Sequence, residues 1–257
     1  MDKELPEISL SQGFSRWASN LRVEDVPEAV RQAAASALLD FAGLCVSARD
    51  EDYVHAMVAA AGEPGAGACT AIGHAGRFDA GSAALVGGTA AHGEDYDDTF
   101  EGTPVHTGAV ILPAILAAGE RFGFSGADAL RGIAAGTELM CRMALVAPMA
   151  VHRAGFHPTA VIGALGAATA VGTILRLSPQ QLTDAIGNAG SFASGIIEYL
   201  AEGSWTKRAH PGWAAQSGLR AALLGREGFA GLRTVLEGQH GFFSPLPTPR
   251  SHPITPA

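Results

Sequence analysis

Residues 158–175, PTAVIGALGAATAVGTIL, run for eighteen positions without a charge. Such a stretch is either a helix in lipid or an element covered by protein on every side. Its residues are mostly Ala, Gly and Thr, which favour insertion weakly, and neither an aromatic belt nor a basic cluster flanks it. Small residues at spacing four (Gly163, Ala167) would suit pairing in lipid too. The composition decides for a central helix in a helical protein, with no membrane partner. Hydrophobic residues are 47% of the chain but aromatics only 7%, so the core is made of Ala and Gly and suits closely packed helices.

The remaining sequence reads as helix after helix. Phe14 and Trp17 share one face of a piece over 8–20, and Val30, Ala34, Leu38 and Phe41 recur at helical spacing after Pro27. Gly and Pro mark a loop at 60–67, and 69–72 form a short extended piece. Helices are expected over 79–91 and 107–122, and for about twenty residues after Ser125. A polar arm, 147–157, leads into the helix at Pro158. Ser178-Pro179-Gln180-Gln181 is a capped helix start. A second arm, 194–210, precedes a last helix over 211–226. No strand alternation of any length is present. The expected fold is all-α, one domain of eight or more helices over 1–243. The tail, 244–257, contains five prolines and is expected to be disordered.

The net charge of −8 argues against nucleic acid, whose phosphates require Lys and Arg. Three cysteines (Cys45, Cys69, Cys141) lack ligand spacing and read as buried and reduced. With no signal pattern at the N-terminus, they point to the cytoplasm.

Chemistry concentrates in 92–108, HGEDYDDTFEGTPVHTG. Five carboxylates (Glu94, Asp95, Asp97, Asp98, Glu101) fall within eight positions, although charged residues are 16% of the chain. Apolar helices flank this knot, and a carboxylate beside such walls needs a partner to stay ionised. Asp95, Asp97 and Asp98 with His92 could ligate Mg²⁺ or Ca²⁺, but the spacing is not that of a calcium loop, and a second Asp cluster is missing. Of 17 basic residues only Lys3 and Lys207 are lysine, so Lys207, just before the last helix, stands out. His106, His157 and His210 each fall close to an expected helix start, where free N–H groups favour anions. Together they suggest a site for a small polycarboxylate.

Four blocks, HGEDYDDT, HTGAVILPA, GFHPTAVIG and WTKRAHPGWAAQSG, resemble in order and spacing the MmgE/PrpD family, which includes 2-methylcitrate dehydratase, cis-aconitate decarboxylase and iminodisuccinate epimerase. The resemblance implies a large helical domain, a homodimer and cofactor-independent chemistry on di- or tricarboxylates. It assigns Asp95, Thr99, His106, His157 and Lys207 to the active site and His210 to substrate binding. Lys207 and protonated His157 would hold carboxylates, and His106 or Asp95 would serve as acid or base. Dehydration of 2-methylcitrate is the activity expected first, with epimerase or decarboxylase chemistry as the alternative. Family members continue past residue 243 into a second, α/β domain. Its replacement here by the proline tail leaves a non-catalytic helical dimer as a further possibility.

Overall fold

The computed structural model describes residues 7–62, 65 and 67–244. The tail expected to be disordered lies outside the described residues except for Ser244. Among the described residues the chain forms eleven α-helices: α1 (Leu10–Asn20), α2 (Glu28–Ser47), α3 (Asp52–Ala60), α4 (Ala80–His92), α5 (Gly108–Phe122), α6 (Gly126–Val146), α7 (Ala150–Arg153), α8 (Pro158–Ile174), α9 (Pro179–Phe192), α10 (Tyr199–Glu202) and α11 (Thr206–Arg226). The fold is all-α, as the periodicity predicts. A ribbon of two short strands, β1 (Cys69–Thr70) and β2 (Arg77–Phe78), pairs Cys69 with Phe78 in antiparallel register. The extended piece at 69 is therefore present, but its partner at 77 has no alternation to reveal it.

Local chemistry explains the boundaries. Ser9, Ser125 and Ser178 close reciprocal capping boxes with Gln12, Asp128 and Gln181. Asp79 accepts from the Gly81 and Ser82 amides and starts α4. Gly123 in a left-handed conformation stops α5.

Three details depart from the sequence reading. Helix α3 has no strong signal and was not anticipated. The arm 147–157 contains the single turn α7. The arm 194–210 is much shorter than expected, because α11 begins at Thr206 and runs through Pro211. A proline in the second turn removes one N–H, the one that would face the Lys207 carbonyl, and the helix continues across it. Lys207 and His210 thus sit on the helix and not before it.

All 17 residues of α8 are buried, so the uncharged run is the centre of the bundle. It packs chiefly on α6 and α11, with α9 and α5 alongside, and α11 also lies against α4. The approach of α4 to α11 is backbone on backbone. A Cβ on Gly88 would fall 2.6 Å from the Gly212 Cα, and one on Gly212 would overlap the Leu85 carbonyl. Helix α2 behaves differently. It is the one helix among the described residues long and apolar enough to cross a membrane, with mean hydropathy 1.3, and it leaves Val30, Leu39 and Val46 exposed.

The close approach predicts opposite effects for two Gly→Ala changes. Gly212→Ala overpacks the α4–α11 contact and should destabilise by about 1–3 kcal/mol. Gly119→Ala in α5, where a Cβ meets nothing within 4 Å, should stabilise by about 0.5–1 kcal/mol. Thermal unfolding checks both; a destabilised Gly119→Ala or an unchanged Gly212→Ala would contradict this packing.

Candidate active site

The C-terminal end of α4 and the beginnings of α5, α8 and α11 meet at one end of the bundle. The acidic knot joins the first two, and its carboxylates have separate tasks. Asp98 folds back on α5, accepting from the Gly108 amide at 2.8 Å and from the Thr107 hydroxyl at 2.8 Å. It serves as the cap that Thr107 does not supply. Glu101 is exposed. Asp97 is buried between two imidazoles, 2.9 Å from His92 Nδ1 and 3.3 Å from His106 Nδ1. Asp95 receives the Lys207 ammonium at 2.6 Å, and Glu94 pairs with Arg208 at 3.3 Å.

Asp97 sets the charge of this end. Burial alone would raise its pKa, but hydrogen bonds from His106 and His92 outweigh burial and hold it below the usual carboxylate range. The reciprocal effect falls on His106. Burial lowers its pKa, yet the Asp97 hydrogen bond and the Asp97 and Asp95 charges win and raise it above the ordinary 6.5. His106 Nδ1 also meets the Thr99 hydroxyl at 3.3 Å, and its Nε2 faces Asp95 at 4.0 Å. Its backbone amide donates to Thr159 in the first turn of α8 at 3.2 Å, which fixes the loop.

His157 and His210 form a second unit. Their Nδ1 atoms are 3.2 Å apart, so the two rings share one proton between them. Burial first, then the surrounding positive groups, push His157 down to about 2, and burial pushes His210 down to about 4. Both are neutral near pH 7. The cationic role expected for His157 is therefore not available to it. Tyr199 stands edge-on to both rings, with centroids 5.9 and 5.7 Å away. His92 lies between the two units, 4.8 Å from the His106 centroid and 5.6 Å from that of His157, and its Nε2 is buried without a partner.

A cleft of about 330 Å³ opens beside this cluster, lined by His92, Asp95, Tyr199, Trp205, Lys207 and Arg208 among others. Of the six residues expected from sequence, Asp95 and Lys207 line it directly. His106 and Thr99 stand behind Asp95, and His157 and His210 stand behind Tyr199. All six come together at one end of the fold. Thr159, Tyr199 and Arg208 were not assigned from sequence, and His92 and Asp97 were considered only as metal ligands. His92 and Asp97 sit inside the quoted motif and Arg208 is next to Lys207, whereas Tyr199 and Thr159 had no signal of their own.

His92, Asp95, Asp97 and His106 each offer one ligand atom within 4.8 Å of the others, so the geometry has donors enough for a metal ion. Asp98, counted in the metal set considered from sequence, turns away to cap α5. The remaining donors are already partnered to each other and to Lys207, and a metal would have to displace the Lys207 ammonium and the His106 proton.

Comparison with known proteins places these residues in a family. A cis-aconitate decarboxylase of Aspergillus terreus is 33% identical, covering 95% of this chain and 52% of that protein. A cis-aconitate decarboxylase-like protein of Aspergillus oryzae is 32% identical, covering 93% of this chain and 51% of its own length. The human cis-aconitate decarboxylase is 35% identical over 62% of this chain and 34% of its own. The chain spans about half the length of the fungal relatives it matches. The sequence model of the MmgE/PrpD N-terminal domain matches residues 12–253. With that match laid over an all-α bundle that gathers the motif residues at one end, the chain belongs to the MmgE/PrpD family.

Proposed function

We propose that this chain is the helical half of a cofactor-independent lyase that decarboxylates a small unsaturated tricarboxylate of the cis-aconitate type. The dehydration of 2-methylcitrate favoured from sequence gives way to this alternative, because the relatives that match are named for decarboxylation. The observation that carries the reading is the arrangement on the cleft wall. Lys207 bonds Asp95, and His106, whose pKa Asp97 raises, faces the same carboxylate at 4.0 Å.

In the proposed reaction Lys207 holds a carboxylate that does not leave. The C–C bond to the departing carboxylate breaks, CO₂ leaves, and the electron pair it releases passes into the adjoining double bond, which shifts. The far carbon then takes a proton from a positioned acid, the role we give to His106. Asp95 orients Lys207, and Thr99 and Asp97 orient His106. His157 and His210, as a neutral pair, fix substrate position through Tyr199. The relatives' remaining half would close the cleft and exclude water, which strengthens each of these electrostatic contacts.

We propose a homodimer as well, supported by the exposed apolar face of α2, which a second copy would cover. A cytoplasmic location is supported by three free cysteines, two of them buried. Light scattering at micromolar concentration should give twice the chain mass, and a clean monomer would remove the α2 face as an interface.

Turnover is tested by following CO₂ release from cis-aconitate and water loss from 2-methylcitrate, for this chain and for the chain fused to the C-terminal half of a relative. Decarboxylation by the fusion, with little by the chain alone and no change on adding EDTA, is the expected result. Water loss in place of CO₂ release would return the assignment to the dehydratase. Loss of activity with EDTA would move it to a metal held by the His92–Asp95–Asp97–His106 cluster. No turnover of either substrate by the fusion would favour a non-catalytic helical dimer.

The pH profile tests His106. A general acid works below its own pKa, so the rate should fall as pH rises through the raised His106 pKa, above 6.5. Asp97→Asn removes the carboxylate that raises it, and the falling limb should move to lower pH. An unmoved limb would exclude His106 as the acid.

A further inference from the structure

We propose that Arg208 is a second carboxylate-binding group, and that Glu94 fills its place until substrate arrives. The inference rests on the carboxylate reading above and adds a residue and a competition to it.

Lys207 and Arg208 are consecutive in the first turn of α11, and both line the cleft. Each holds one carboxylate of the consecutive pair Asp95 and Glu94, at 2.6 and 3.3 Å. The chain has thus placed two of its own acids on two adjacent cations at the head of a helix whose first turn has no side-chain cap. Two carboxylates a short distance apart are also what a di- or tricarboxylate presents. A guanidinium suits the task, since its planar fork accepts a carboxylate through two parallel N–H donors.

The surroundings hold Arg208 in this position. Its guanidinium carbon lies 4.3 Å over the Tyr53 ring, a cation–π stack that fixes the plane of the fork and leaves its edge open to the cleft. Tyr53 is buried, and it also shapes the opposing turn. A Cβ on Gly93 would collide with the Tyr53 hydroxyl, so the chain passes close over the ring with glycine at that point. Two residues later Asp95 takes a left-handed conformation, φ 61°, which costs a non-glycine residue about 1 kcal/mol or more. Tight packing at Gly93 and backbone strain at Asp95 bracket Glu94 and point both acids at both cations.

The side chains of Glu94 and Arg208 are each about one-third exposed, at 39% and 34%. A pair this wet is weakly held and exchanges readily with another anion. An incoming tricarboxylate meets two cations already neutralised by two acids. It binds well only if one of those acids withdraws, and Glu94, at the longer distance from its cation, is the one placed to do so.

The test is calorimetric titration of the chain with cis-aconitate and with the monocarboxylate crotonate at low ionic strength. Arg208→Gln should weaken cis-aconitate about tenfold, the order expected for a charge-assisted contact, and change crotonate little. Glu94→Gln should tighten cis-aconitate, because it removes the competitor while leaving the cation in place. The double variant should bind as Arg208→Gln does. Wild-type affinity in Arg208→Gln, or weaker binding in Glu94→Gln, would overturn the proposal, the latter by showing that the pair serves the structure alone. Glu94→Gln alters an exposed side chain and remains decisive if Arg208→Gln does not fold. Failure of the wild-type chain to bind any carboxylate would overturn the underlying carboxylate reading, a result distinct from binding that Arg208 does not affect.

Discussion

The contact on which this structure depends is the backbone approach of α4 to α11 at Gly88 and Gly212, continued by the burial of α8 beside them. With larger side chains in those positions the helices would stand farther apart, and their ends would diverge. Because they do not, His157 at the cap of α8 comes within ring contact of both His92 at the end of α4 and His210 in α11. The Ala- and Gly-rich composition, which contributes little apolar area per residue, is therefore what brings the polar ends into one cluster. Dispersion gained from close contact over several long helices offsets the small size of each side chain.

Within that cluster a single buried carboxylate divides the imidazoles into two kinds. His106 faces Asp97 and is raised; His157 and His210 face each other and are lowered. The same residue type thus has a raised pKa on one side and forms a neutral pair on the other. Environments that push like groups apart are how one fold provides an acid and a base together. Lys207 gains from the same arrangement, because Asp95 directs its ammonium toward the cleft when it could otherwise swing into solvent.

Much of this was legible in the sequence, for identifiable reasons. Helices with capping boxes or an unbroken apolar run, such as those at Ser125, Pro158 and Ser178, carry their own boundaries. The two-residue strands, α3 and the early start of α11 do not: their signals are short, or are masked by a proline that a helix tolerates in its second turn. The residues that the family motifs single out, Asp95, Thr99, His106, His157, Lys207 and His210, lie together at one end of the fold. The separate tasks of Asp97 and Asp98 could not be read from adjacent letters. One is buried under two histidines and the other caps a helix ten residues away, and that difference exists only once the loop has folded. Arg208 was overlooked for a related reason, since it is one of fifteen arginines and no sequence signal separates it from the others.

Decarboxylation also places a demand on the cleft that cations alone cannot meet. A carboxylate held by an ammonium or a guanidinium is stabilised in the ground state and leaves less readily, so binding all three carboxylates alike would slow the reaction. In the proposed reaction two are anchored, and the third must face a surface that solvates it poorly. Besides Lys207 and Arg208, the cleft is lined by Tyr199 and the half-exposed Trp205. An aromatic face there destabilises a charged group relative to neutral CO₂, which is the direction the reaction runs. Dehydration would put the opposite requirement on the same wall, because a departing hydroxide needs a proton donor close to it. The two reactions therefore ask different things of this wall: the proposed loss of CO₂ needs a surface that solvates a carboxylate poorly, whereas loss of water needs an acid beside the leaving oxygen.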